Sequence, residues 1–354
     1  MKKFIIPFVI IGIVIGAYFL FSKNNLSPIG SKVTSKFNVI PDDAAIIFWS
    51  TRDSKPQTIM GPTGNLYVMN KDGGNINQIT FEPYSYEHAA VSPDRTKVVA
   101  ARKSDGLVKV WIFDLIEKTE RELAPNLLQY GNGGVDWSID NWIYFRGKNS
   151  DKFGDSEVYR IKPDSSSLEK LTDNSEMEVF DVSVSEDGTM VTHVGMVPFQ
   201  NSQGETCGKP QIWVMNSDGS NHKMVDDGGD ECGVYGLFPI GDYDPEFSPD
   251  NQYVVFSRVN TEVPPNFINS LKTAHDLWIA SVNQDQSSRR LTQPGPISII
   301  PDWYEDKILY TEFNEQENYI GLVTINPDGS GKKRLEGEYS NFWYGGRHGK
   351  WILK

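Results

Sequence analysis

Apolar and polar positions alternate in short runs along most of the chain, and turn residues break the runs. This is the pattern of half-buried strands. Residues 243–258, YDPEFSPDNQYVVFSR, show it best. Asp244-Pro245-Glu246-Phe247 reads as a short extended piece. Ser248-Pro249-Asp250-Asn251 is a tight turn: proline presets φ, and Asp and Asn tolerate the corner and bond back to the backbone. Residues 253–256 then form a β-branched and aromatic strand. The unit is a hairpin, and imperfect copies of it recur.

Residues 89–94 lead to a strand at 97–101, 135–138 to 142–145, 181–185 to 190–193, and Pro301-Asp302-Trp303 to 307–311. A second half-unit alternates with the first. It is an apolar-aromatic strand, a turn containing Asp-Gly, and a short strand ending near Leu-Thr. LYVMN at 66–70 runs into Asp72-Gly73, IWVMN at 212–216 into Asp218-Gly219, and VTIN at 323–326 into Asp328-Gly329. Asp closes such a turn through its side chain, and Gly takes the positive φ that a bulged hairpin needs. Degenerate copies lie at 110–114, 158–162 and 277–281, which makes six.

Residues 44–354 number 311, about 52 for each of six repeats, enough for a four-stranded unit with variable loops. No such unit buries both faces alone, so the six must stack. The pattern predicts an all-β, six-bladed propeller of four-stranded blades. The strand at 46–48 has no first-half partner before it. Its partner is expected at the far end of the chain, around Phe342-Trp343-Tyr344, so that both termini meet in one blade; a spare strand at 351–353 competes with 46–48 there.

These residues resemble the TolB-like six-bladed β-propeller, a WD40-like repeat family, over about 44–354. The first motif is carried by Asp244, Pro245, Phe247, Ser248, Pro249 and Asp250. The second is carried by Tyr67-Val68-Met69-Asn70 with Asp72-Gly73 and by Trp213-Val214-Met215-Asn216 with Asp218-Gly219. The motifs are specific for fold and poorly specific for function, and the resemblance implies interaction roles. Prolyl-oligopeptidase-type enzymes share them, but no Gly-x-Ser-x-Gly elbow of a hydrolase domain occurs here.

The beginning of the chain breaks the strand pattern. Residues 4–21 carry no charge and follow Lys2-Lys3. As a helix this run is about 27 Å long, at ~1.5 Å per residue, roughly one hydrocarbon core. No Ala-x-Ala follows it and no cysteine that could take a lipid. Residues 1–22 therefore read as an uncleaved signal anchor, 23–43 as a polar linker, and 44–354 as the propeller. The basic residues before the span place the N-terminus in the cytoplasm and the propeller outside it, periplasmic or at the cell surface.

Charge narrows the partners. The net charge of −13 argues against nucleic acid and fits a protein or peptide partner in the envelope, including a basic one. The two cysteines, Cys207 and Cys232, lie at matching distances on either side of the Asp218-Gly219 turn. A disulfide is the expected pairing in an extracytoplasmic domain. A two-cysteine metal site and free thiols are the alternatives.

In a propeller the innermost strand of each blade lines the central channel. Counting four residues back from the Ser of each SPD-type turn gives His88, Gly134, Asp181 and Asp244; in the 301–303 copy, where Tyr304 stands in place of that Ser, the aligned position is Ile300. His88, Asp181 and Asp244 are the candidate channel-mouth residues, with Glu87, Asp136 and Glu178 close by in sequence, an acidic mouth able to take calcium or a basic peptide. The plainer alternative is that each Asp satisfies backbone donors at the start of its blade. His193, His222, His275 and His348 appear scattered. Two long insertions, 228–243 and 259–275, offer Tyr235, Phe238, Tyr243 and Phe267 as candidate contact residues, or as packing beneath their own loops.

The expectation is a membrane-tethered binding or scaffold propeller without chemistry, engaging a protein or an envelope polymer. The alternatives are a metal-dependent propeller enzyme of lactonase, sugar-lyase or hydrolase type, and a peptidase propeller acting with a separate subunit.

Overall fold

The computed structural model describes residues 37–52, 64–81, 84–104, 107–127, 134–150, 152–235, 238–262, 274–283, 287–314, 316–317, 319–338 and 347–352. The apolar run 4–21, Phe267 and Phe342-Trp343-Tyr344 lie outside these residues. Among the described residues no helix is long and apolar enough to cross a membrane.

The described strands form six four-stranded antiparallel sheets and one small hairpin. The innermost strands, first to sixth blade, are Arg347–Trp351, Ser85–Val91, Val135–Trp137, Glu178–Val184, Asp242–Phe247 and Ile297–Tyr304. Each packs against the next, and the last packs against Arg347–Trp351, so the ring closes. The fold is the expected six-bladed propeller. Apolar clusters fill the seams between blades. Ile47, Leu66 and Val68 of the first blade meet Val98, Ala100 and Phe113 of the second; Val255, Leu277 and Ile279 of the fifth meet Tyr310 and Val323 of the sixth.

The closing blade has a different membership from the expected one. Its inner strand is Arg347–Trp351, paired antiparallel with Ile46–Ser50, with Ile46 opposite Trp351 and Ile47 opposite Lys350. The C-terminal segment therefore pairs with the 46–48 strand instead of competing with it. The packed part also starts earlier than composition indicates. Phe37 and Ile40, in the stretch read as linker, are buried; Asn38 N donates to Ile79 O at 3.0 Å, and the Lys118 ammonium donates to Phe37 O at 2.8 Å.

The turns behave as their residues dictate. The Ser248 hydroxyl donates to Asp250 Oδ1 (2.6 Å) and accepts from Tyr253 N (2.9 Å). Ser92–Asp94, Ser138–Asp140 and Ser185–Asp187 repeat the bond. In the Asp-Gly turns Gly73, Gly219 and Gly329 take φ of 91°, 86° and 87°, which only glycine adopts readily. Arginines then clamp neighbouring blades at this face. Arg121 donates to Pro163 O, Arg160 to Ser217 O and Arg289 to Pro327 O.

Candidate functional site

A bulge in the inner strands builds the channel mouth. The registers of the fourth, fifth and sixth inner strands slip between Phe180 and Ser183, Tyr243 and Glu246, and Ile299 and Asp302. At each slip one residue is left-handed: Asp181 at φ 39°, Asp244 at 51°, Ile300 at 54°. Positive φ is costly for these residues, most of all for β-branched Ile300, and such strain collects at functional positions. The five positions aligned from the sequence, His88, Gly134, Asp181, Asp244 and Ile300, all line one cavity.

His88, Asp181 and Asp244 each offer a ligand atom there, and the three atoms lie within 4.8 Å of one another. Burial, with the nearby Lys350 ammonium, pushes His88 down to about 4, so its imidazole is neutral at pH 7. Burial pushes Asp244 up to about 6 against the hydrogen bond from the Ser257 hydroxyl at 2.8 Å. The carboxylates also serve the backbone. Asp181 Oδ2 accepts from Asp244 N at 3.4 Å, and Asp244 accepts from the backbone N–H of Ile300. Each Asp thus steadies the strained residue of the next blade, and the capping alternative coexists with the ligand-like geometry.

Two residues further along the same strand face lies a second layer, Ala90, Asp136, Ser183, Glu246, Asp302 and Lys350. The Lys350 ammonium sits 3.1 Å from Asp136, 3.0 Å from Glu246 and 3.5 Å from Asp302. Burial drives Glu246 up to about 8, with Asp302 and Asp136 adding to it and Lys350 opposing. The contacts agree with a protonated Glu246. Ser183 Oγ lies 2.8 Å from Asp136 and 2.6 Å from Glu246, and one hydroxyl proton cannot serve two carboxylates. Asp302 also accepts from Trp351 N. Lys350 plugs the channel between two small cavities of about 40 and 30 Å³. Sequence reading placed Asp136 beside the mouth and missed the rest of this layer, although the period of a strand, two residues, pointed at it.

The mouth shares its face with an arm. In the fourth blade Glu178 pairs with Met196 while Val184 pairs with Val191, so the mouth end of the inner strand is the end at which Met190–Gln200 and Thr206–Asn216 extend outward. The Cys207–Cys232 disulfide fastens this arm to the following loop, as expected, with Cα atoms 5.8 Å apart. Ser202 N donates to Asp230 Oδ1 at 3.0 Å beside it. Of the loop candidates, Phe238 and Tyr243 pack edge-on at 5.9 Å, each against His275, and the Tyr243 hydroxyl donates to Pro239 O at 2.7 Å. These two pack beneath their own loop. Tyr235 pairs with Phe238 in the small hairpin.

His193 and His222, scattered in sequence, meet in the fourth blade with Nε2 atoms 2.8 Å apart. Trp213 covers His222, ring centroids 5.0 Å apart. Burial and the His222 ring push His193 down to about 3.

No family model matches the chain. A curated relative, an uncharacterized protein of Agrobacterium fabrum, is 30% identical over 111 residues, 31% of this chain; the chain spans 36% of the relative's length. TolB from Acinetobacter baumannii superimposes with a TM-score of 0.62 at 16% identity, over 89% of this chain and 68% of that one. A nidogen/laminin complex structure gives 0.56 at 10% identity, over 87% and 98%. An oligogalacturonate lyase in complex with manganese gives 0.51 at 14%, over 87% and 77%. At such identities the likeness concerns fold, and the fold is TolB-like.

Proposed function

We propose that this chain is a non-enzymatic binding propeller that engages a protein or an envelope polymer through the face bearing the channel mouth and the disulfide-fastened arm. The filled channel carries the reading. Small-molecule sites span about 300–1,000 Å³, whereas the cavity above Lys350 is about 40 Å³, room for an ion or a few waters. What remains for recognition is the surface. The TolB and nidogen/laminin neighbours support an interaction role by analogy of fold. The N-terminal run 4–21 anchors the chain with its N-terminus in the cytoplasm, and the disulfide supports an oxidising compartment for the propeller.

Photo-cross-linking in the native host tests this. A photoreactive residue at Ser202, Gln203 or Val234, all exposed, should yield a discrete adduct, and one at exposed Arg121 on the outer rim should not. Equal adducts from both sets, or none from the arm, would refute a partner at this face.

A second reading rests on the His88–Asp181–Asp244 donor set. One imidazole and two carboxylates suit manganese, iron or zinc better than calcium, which prefers six to eight oxygens. The manganese-bound lyase neighbour supports metal-assisted chemistry by analogy only. Elemental analysis of the full chain, purified without chelator, separates the readings. About one equivalent of metal, lost in Asp181→Ala and Asp244→Ala, supports the metal reading; metal retained in both variants, or below a tenth of an equivalent, opposes it.

A further inference from the structure

Among the described residues six arginines are held in one way, over an aromatic face and against a carboxylate; one is Arg290, 5.4 Å from the Trp278 centroid and 3.1 Å from Glu262. Arg102 lies 3.4 Å from the Trp111 centroid and 3.0 Å from Glu120. Arg146 pairs with Phe180 (4.4 Å) and Glu178 (2.8 Å), and Arg160 with Trp142 (4.4 Å) and Glu169 (2.6 Å). Arg258 pairs with Trp278 (4.5 Å) and Asp242 (2.6 Å), and Arg334 with Tyr319 (4.1 Å) and Glu312 (3.2 Å). The ring quadrupole and the anion attract the same cation, and partial burial strengthens both.

The face opposite the mouth carries the same chemistry without its cation. A groove of about 520 Å³ runs between the fifth and sixth blades, lined by Tyr253, Trp303, Asp250, Glu305, Asp328 and Arg289 among others. Its volume falls within the range of ligand sites. Tyr253 is 45% exposed. Among the described residues no cation lies over the Tyr253 or Trp303 ring, and the Glu305 carboxylate has no hydrogen bond or ion pair. Asp250 and Asp328 each commit Oδ1 to their own turns, to Ser248 and Gln252 and to Ser330 respectively. Among the described lining residues Arg289 is the one positive group, and its guanidinium donates to the Pro327 carbonyl beside Asp328. Three carboxylates against one guanidinium leave the groove at −2.

We propose that this groove is a docking site for a basic protein segment, with an Arg or Lys side chain of the partner laid on Tyr253 and Trp303 and paired to Glu305. The guest cation completes the arrangement that the chain's own arginines complete elsewhere. The volume admits one long side chain with a few flanking residues, and the negative rim repels acidic polymers. The site stands on the other face from the mouth and is independent of what the mouth binds.

Fluorescence anisotropy on the full chain in detergent tests it. The probe is a labelled ten-residue peptide with three arginines spaced by glycine and serine; the same peptide with glutamates and a neutral chitin tetramer are the comparisons. Binding of the arginine peptide should weaken roughly tenfold in Tyr253→Ala and several-fold in Glu305→Gln, and stay unchanged in Asp244→Asn at the mouth. Both altered side chains are exposed, and an unchanged melting curve confirms folding. No binding, equal binding in the groove variants, loss in Asp244→Asn instead, or preference for the sugar would each overturn the assignment.

Discussion

Lys350 donates to Glu246 at 3.0 Å across the channel, joining residues 104 positions apart. Asp136 and Asp302, from the third and sixth blades, share the same ammonium. One side chain from the closing strand thus ties three other blades to the axis. Such a buried cluster is weak evidence of net stabilisation, but removing one partner leaves charge uncompensated.

Lys350→Met is expected to lower stability by about 3–5 kcal/mol. Adding Asp302→Asn to it should recover part of the loss, because the orphaned carboxylate becomes neutral. Urea unfolding of the three proteins checks this; a single variant as stable as wild type would remove the ammonium from the account of closure.

Gly134 takes the place of the mouth side chain in the third blade. A Cβ there would lie 2.3 Å from Val182 O and 2.7 Å from Val182 N, both backbone atoms that cannot swing aside. Gly134→Ala should therefore cost about 1–3 kcal/mol by overpacking and push the third and fourth inner strands apart. A melting curve unchanged from wild type would show that this approach is looser than described.

His193 governs part of the acid response. Its folded pKa, about 3, lies below its ordinary 6.5, so the unfolded chain binds the proton more readily. The stability tied to its neutral form is fully present above pH 6.5 and drains as pH falls toward 3, by up to about 1.4 kcal/mol per pH unit. Glu246 and Asp242, both raised to about 8, act in the opposite sense, gaining stability as pH falls through 8. Comparing wild type with His193→Gln cancels those terms. The variant should start lower at pH 7 and lose less between pH 6.5 and 4; parallel curves would exclude the histidine pair.

The disulfide closes a loop of 25 residues' separation and should contribute about 3 kcal/mol. Cys207→Ser with Cys232→Ser is expected to loosen the arm and leave the ring closed. Mass measurement under non-reducing conditions should find no free thiol. Hydrogen exchange should rise at 200–206 and 228–235 but not in the inner strands.

The repeat was legible because its turns are chemical. Ser-Pro-Asp and Asp-Gly corners announce themselves, and counting from them placed His88, Asp181 and Asp244 around one cavity. The closing strand was harder to see for a physical reason. Arg347-His348-Gly349-Lys350 lacks the apolar run by which a strand is recognised, and its Lys350 lines the polar channel. The aromatic stretch at 342–344 looked the better partner. Glu246 and Asp302 escaped notice because one position per blade was followed where a strand presents every second one. The His193–His222 contact depends on how a strand and a distant turn meet, and no spacing rule encodes it.

The inner strand of the closing blade also sets a schedule for biosynthesis. Ile46–Ser50 is made early, and its partner Arg347–Trp351 is made some three hundred residues later. At ~5–20 residues per second, that interval is about fifteen seconds to a minute. Throughout it the nascent array is open, and the IIFWS edge offers unpaired backbone to any neighbouring chain. A ribosome that stalls before residue 347 therefore leaves a product with most of its blades and a bare, sticky seam, the kind of chain that chaperones and proteases must recognise.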